Sequence, residues 1–136
     1  MPTARYDTSA IHIPKLGDLV VGGHDGDSWV CNAELLRTGP PGAESERTWH
    51  TINPMLFTCS RNCGAHYQQK VIVASPKGIQ MLSLPLDQPG QWTELRKDFR
   101  YHDDLPSFSS VFVFNEELCF TGNFSTQLVC FIFCVE

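Results

Sequence analysis

Apolar residues in this chain occur in short runs with the length and composition of β-strands. Four such runs lie in the first round of the chain, each bounded by glycine, proline, asparagine or aspartate, at 11–13, 19–21, 29–36 and 49–52. Nowhere do apolar positions keep the helical i, i+3, i+4, i+7 spacing over eleven residues. The pattern predicts an all-β chain.

The same order of strands then returns. A second round is predicted at 63–67, 70–74, 79–84 and 91–95, and a third begins at 110–114 and 118–120, with 127–133 as a candidate addition. Aligning Val21, Val73 and Phe120 in the second strand of each round gives steps of 52 and 47 residues. A period near fifty predicts a repeat architecture with units of about 5–55, 56–100 and 101–136.

A four-stranded unit of this size has apolar side chains on both faces, so it needs neighbours on both sides, as the blades of a β-propeller have. The Gly22–Gly23 pair suits a sharp turn after the second strand, because glycine adopts positive φ and lets another backbone approach. Tryptophans open the fourth strand of the first two rounds. We expect Trp49 and Trp92 to pack between neighbouring sheets, each with its indole N–H bonded to a backbone acceptor.

These residues resemble the Kelch repeat. The resemblance covers about residues 5–135 and rests on Gly22–Gly23 after an apolar strand, Glu34 in the next strand, Trp49 half a repeat later, Arg61 before the next first strand, and Trp92. The second round has Ala74–Ser75 in place of the glycine pair, and the third keeps only Gly122 of it.

The resemblance implies an all-β fold, an incomplete β-propeller of four-stranded antiparallel Kelch-type blades. It also implies a non-catalytic protein–protein interaction scaffold. Many Kelch proteins are substrate-recognition parts of cullin-RING ubiquitin ligases, often with a BTB domain, and others bind actin. We therefore expect a protein partner, such as a ubiquitin-ligase substrate or actin. Since 136 residues hold fewer than three full blades, we expect a fragment of a longer propeller.

Charge and hydropathy narrow the class of partner. The net charge is −5 and the ten Lys and Arg residues are scattered, which argues against a nucleic-acid surface. The longest apolar run, 128–135, is too short to cross a bilayer, and the chain does not open with a signal-peptide pattern. We expect a cytoplasmic protein without a membrane partner.

Loops held by a scaffold carry specificity, so we assign partner contacts to the connections after second strands and between blades. These are 24–28, 76–78, 123–126, 54–62 and 97–107, which we expect to share one face. The predicted partner-binding residues are His24, Asp25, Arg61, Asn62, Lys77, His102 and Asp103.

Two of these residue groups have a second interpretation. His24 and Asp25 could belong to a catalytic or metal cluster, but Gly-Gly-His-Asp-Gly is ordinary turn chemistry, which we favour. Arg61 either joins two blades or contacts a partner, and the joining role is favoured. No catalytic residue and no cofactor are predicted, and the tyrosine and histidine copper ligands of a propeller enzyme related to galactose oxidase do not occur as a group.

The six cysteines leave an alternative, a small metal-binding or disulfide-linked β domain. Cys59, Cys63 and His66 could supply zinc ligands, with Cys130 and Cys134 as a second pair. Both cysteine pairs are spaced C-x3-C rather than C-x2-C, and the second lies in a strand-like run, which would place the two thiols on one face. Reduced thiols that fill the core are the favoured interpretation.

Alkylation of the unfolded protein under non-reducing conditions, together with metal analysis of the purified protein, tests this alternative. The scaffold interpretation predicts six reactive thiols and no zinc. Stoichiometric zinc, or a thiol count below six, would support the metal-binding or disulfide-linked domain instead.

Overall fold

The computed structural model describes residues 1–39, 47–58, 61–86, 90–97, 107–124 and 127–133, with all of their side chains except those of 96, 97, 107, 123, 124 and 127–133. These residues form eleven strands and no helix, which confirms the all-β prediction. The strands are β1 (Ser9–Ile13), β2 (Gly17–Val21), β3 (Ala33–Arg37), β4 (Thr48–Ile52), β5 (Cys63–Tyr67), β6 (Lys70–Ser75), β7 (Gly78–Ser83), β8 (Trp92–Lys97), β9 (Ser107–Phe114), β10 (Glu117–Phe124) and β11 (Gln127–Phe133).

The strands form three antiparallel sheets in chain order. The first sheet has the order β1-β2-β3-β4, the second β5-β6-β7-β8, and the third β9-β10-β11. The prediction of four-stranded antiparallel sheets is confirmed for the first two. Each sheet is a meander of sequential neighbours. In the two four-stranded sheets, the connection between the second and third strands therefore lies at the same end as the exit from the fourth strand.

Two predicted strand boundaries are wrong. β3 begins at Ala33 rather than Trp29, because Gly22 N–H bonds to Asn32 O at 2.9 Å and so closes an excursion before the strand starts. Gly122 does not sit at a turn after the second strand of its sheet. It lies inside β10, where the register with β9 shifts at a bulge, and β10 continues to Phe124.

The second sheet is buried on both faces, and β6 shows this most clearly. Val71 and Val73 pack into a core shared with the first sheet, whereas Ile72 and Ala74 pack into a core shared with the third. All four side chains are fully buried. Side chains alternate across a strand, so burial of successive residues requires a layer on each side of the sheet.

The first strands of the three sheets run along one edge of this stack, since β1 contacts β5 and β5 contacts β9. Gly64 in β5 makes the first of these contacts possible. A Cβ atom at this position would overlap Cδ1 and Cγ1 of Ile11, so a larger residue would push β1 and β5 apart.

The first two sheets carry matching rows of residues. The row His12, Asp18, Leu36 and Trp49 crosses the first sheet, and the row His66, Val71, Leu82 and Trp92 crosses the second. The two rows share histidine, leucine and tryptophan in the first, third and fourth strands and differ in the second. The tryptophans that end these rows have different environments.

Trp92 lies between the first and second sheets, is 3% exposed, and donates its indole N–H to Asn53 O at 2.9 Å. Asn53 in turn donates to Gly90 O at 2.7 Å, which joins the exit of the first sheet to the entry of β8. Trp49 occupies the equivalent position on the outer face of the first sheet and is only partly buried. Among the described residues, no further sheet covers that face.

We expect Trp92→Ala to lower the free energy of unfolding by about 4 kcal/mol, because it leaves a cavity between two sheets and an unpaired Asn53 carbonyl. Trp49→Ala is the matched control and should cost about 1 kcal/mol. Urea unfolding of the full chain measures both values. Equal losses for the two variants would contradict the packing described here.

Candidate functional site

The loop between β2 and β3 starts at a glycine pair whose second member leaves no room for a side chain. Gly22 has φ 63° and Gly23 has φ 95°, in the left-handed region. A Cβ atom on Gly23 would lie 2.5 Å from Tyr6 O and 2.7 Å from Thr8 Cγ2. The segment before β1 therefore packs directly against this corner.

This close approach creates a short ladder beyond the end of the first sheet. Tyr6 N–H donates to His24 O at 3.1 Å, and His24 N–H donates to Tyr6 O at 2.9 Å. Val30 N–H donates to Gly23 O at 2.9 Å, and His24 also forms an antiparallel bridge with Trp29. Residues 6, 24 and 29 consequently lie side by side, held by main-chain bonds.

Asp25 closes the turn of this loop. Its Oδ1 accepts the backbone N–H groups of Asp27 and Ser28, each at 2.9 Å. These two bonds hold the pKa of Asp25 below its ordinary value, so the carboxylate is ionised at neutral pH. Gly26 N–H donates to His24 Nδ1 at 3.0 Å, which places the proton of the neutral imidazole on Nε2.

Three rings meet on this ladder. The Tyr6 and His24 rings stack with centroids 5.1 Å apart, and the Trp29 ring meets His24 edge-on at 5.0 Å. Tyr6 is 56% exposed and Trp29 is 37% exposed. We call Tyr6, His24 and Trp29 the aromatic cluster. Single exposed aromatic side chains are common, whereas these three rings form a fixed group at the surface.

A buried ion pair fastens the cluster to the first sheet. Arg5 Nη2 contacts Glu34 Oε2 at 2.8 Å, and both side chains are almost fully buried. Arg5 Nη1 donates to Gly22 O at 2.9 Å and to Asn32 O at 3.1 Å, the two ends of the loop. Because one guanidinium bonds to both ends and to β3, it fixes where the loop leaves the sheet.

Connections from the second sheet lie at the same end of the stack. Asn62 Nδ2 donates to Val21 O at 3.2 Å, and Lys77 Nζ donates to Thr58 Oγ1 at 2.7 Å. Arg61 is exposed, with φ 51°, and no described residue forms a hydrogen bond or ion pair with its side chain. Within the described residues, the Arg61 side chain therefore does not have the blade-joining role that the sequence favours. The neighbouring Asn62 joins the first and second sheets through its bond to Val21 O.

The structure brings His24 and Asp25 together with two residues that sequence reasoning missed. The sequence pattern predicts a strand at Trp29, and no motif marks Tyr6. An aromatic residue on each side of the Gly-Gly-His-Asp-Gly turn is the signal that could have drawn attention to both. His102 and Asp103, also predicted as partner contacts, lie outside the described residues.

Cys63 is the candidate zinc ligand among the cysteines whose side chains the structure describes. Burial raises the pKa of Cys63 to about 12, so this thiol is protonated at neutral pH. The described part of the chain holds no group of three or more His, Cys, Asp or Glu residues arranged to bind a metal ion. Cys59 and Cys134 lie outside the described residues, as does the side chain of Cys130.

Two open grooves lie at the other end of the stack, by the β1–β2 and β5–β6 turns. One, of about 350 Å³, runs between Leu16 and Leu86, and the other, of about 470 Å³, lies beside Tyr67 and Glu116. His66 lines both grooves. The described residues that line the two grooves include no pair of carboxylates and no nucleophile with an adjacent base.

Comparison with known proteins does not assign the chain to a family. No family model matches it, and no curated protein matches it. Within the described ranges there is also no helix long and apolar enough to span a membrane. The geometry of the aromatic cluster is thus the main basis for a functional proposal.

Arg5→Ala should lower the free energy of unfolding by about 3–5 kcal/mol, because it leaves the Glu34 carboxylate buried without its partner. The double variant Arg5→Met, Glu34→Leu should lose less than Arg5→Ala, since it removes both charges. Urea unfolding of the full chain measures each value. A double variant less stable than Arg5→Ala would show that the pair is not the source of the loss.

Proposed function

We propose that this chain is a non-catalytic protein-interaction scaffold built from Kelch-type propeller blades, with the aromatic cluster as its partner-binding surface. In this proposal it belongs to a cullin-RING substrate adaptor or to an actin-binding protein. The observation that carries the proposal is the exposed aromatic cluster, held by main-chain bonds at the end of a buried stack of sheets.

The arrangement of the sheets supports the blade part of the proposal. Three meanders stack in chain order, their first strands run along one edge, and Trp92 lies at the junction between two of them. Leu36 and Trp49 on the outer face of the first sheet have the same residue types as Leu82 and Trp92, which the first sheet covers on the second. Such faces are typical of a repeat that continues.

The composition of the cluster supports the binding part. Tyrosine and tryptophan are enriched at the centres of interfaces, because each buries a large area and carries one polar group. Both side chains have only two rotatable bonds, and main-chain pairing fixes the positions from which they project. Binding therefore needs little ordering of the protein side of the interface.

The metal- or disulfide-linked alternative has less support. Zinc binds the thiolate form of cysteine. Burial raises the pKa of Cys63 to about 12, so its thiol is protonated at neutral pH and would have to lose that proton first. Cys63 Sγ also lies 3.9 Å from Ala74 O, inside the second sheet, which is a contact of a core-filling thiol.

Proximity labelling in cells, with the full chain fused to a labelling enzyme, tests the proposal. The double variant Tyr6→Ser, Trp29→Ser should lose its partners, because removing central aromatic residues weakens binding about thirtyfold or more. Phe114→Ser is the matched control, since Phe114 is 62% exposed at the opposite end of the stack. Circular dichroism checks that all variants fold.

Recovery of the same partners by the double variant and by the wild type would contradict the proposal. Co-sedimentation of the purified chain with filamentous actin separates the two proposed classes of partner. Sedimentation that the double variant loses would favour an actin-binding protein, whereas recovery of cullin-ligase components in the labelled set would favour an adaptor.

A further inference from the structure

We infer that the aromatic cluster binds an arginine-bearing segment of a protein partner. The inference rests on the proposed function, since it names the chemistry that the partner presents to this surface. It follows from the charge around the three rings, the planes that they expose, and the rigidity of the loop that carries them.

The charge around the cluster is negative. Asp7, Asp25 and Asp27 are exposed next to the three rings, and residues 16–36 contain no lysine or arginine. The nearby Arg5 is buried and its charge is matched by Glu34. A positively charged segment therefore meets several carboxylates and no cation from this stretch of the chain.

Among the described residues, the other cations at this end of the stack form no ion pair with these carboxylates. Lys77 donates to Thr58, and Arg61 forms no ion pair with any described carboxylate. Asp25 uses Oδ1 to close its turn, and no described residue donates to its Oδ2. This ionised oxygen is thus available to a donor on a partner.

Arginine matches this combination better than lysine does. Its guanidinium is planar, stacks on the faces of tyrosine and tryptophan, and can donate two parallel hydrogen bonds to one carboxylate. The edge-on contact between His24 and Trp29 turns the indole plane across the imidazole plane, and Tyr6 is the most exposed ring of the three. A guanidinium can therefore stack on a ring while it donates to Asp25 or Asp27.

Titration of the full chain with a short peptide tests the inference. The probe is the capped heptapeptide Gly-Ser-Arg-Gly-Arg-Ser-Gly, and its control replaces both arginines with citrulline, which keeps the shape and removes the charge. The readout is the indole N–H signal of Trp29 in a two-dimensional NMR spectrum. The variant Trp29→Phe identifies this signal among the three tryptophans.

We expect the arginine peptide to shift the Trp29 signal in a saturable way, and the citrulline peptide to leave it unchanged. The double variant Asp25→Asn, Asp27→Asn should bind about fivefold more weakly, and Asn at 25 keeps the oxygen that closes the turn. The control Glu116→Gln, Glu117→Gln makes the same change in net charge at the opposite end of the stack. It should change the affinity by less than about twofold.

Equal shifts with the arginine and citrulline peptides would overturn the inference, because binding would then not depend on the cation. Absence of a shift with either peptide, while proximity labelling still depends on Tyr6 and Trp29, would also overturn it and leave the proposed function standing. If labelling does not depend on these two residues, the proposed function itself fails.

Discussion

Burial of the second sheet on both faces is the constraint on which the rest of this structure depends. β6 has no solvent side: Val71 and Val73 need the first sheet, and Ile72 and Ala74 need the third. The three sheets are therefore not independent units, because removal of either neighbour would expose a row of aliphatic side chains. The same packing accounts for Gly64, where the first strands of two sheets approach too closely for a side chain.

A stack of this kind gives its loops a fixed base. Two contacts fix the β2–β3 loop to the stack. Gly23 packs against the segment before β1, and Arg5 bonds to both ends of the loop and to Glu34. A buried ion pair adds little net stability compared with apolar residues of the same size, but it fixes one arrangement. Here the arrangement that it fixes presents the aromatic cluster to solvent.

Sequence patterns predicted the strands well, because each strand is short, apolar and bounded by turn residues. They failed where long-range contacts override local preference. Trp29 has a residue type that favours strands, yet the bond between Gly22 and Asn32 places it in a loop. Arg5 was missed because its partners are carbonyls 17 and 27 positions away, which no local motif reveals. Gly122 is a residue type that favours turns, but strand β10 continues past it through a bulge.

Amide hydrogen exchange of the full chain, resolved by residue, tests the central claim that a doubly covered sheet supports a rigid β2–β3 loop. The β6 amides should be among the slowest to exchange, with protection close to the global stability. The amides of Tyr6, His24 and Val30, which form the ladder under the cluster, should be protected well above the level of an open loop. Exchange of β6 at the rate of an exposed edge strand, or of the ladder amides at the rate of an unfolded chain, would contradict the claim.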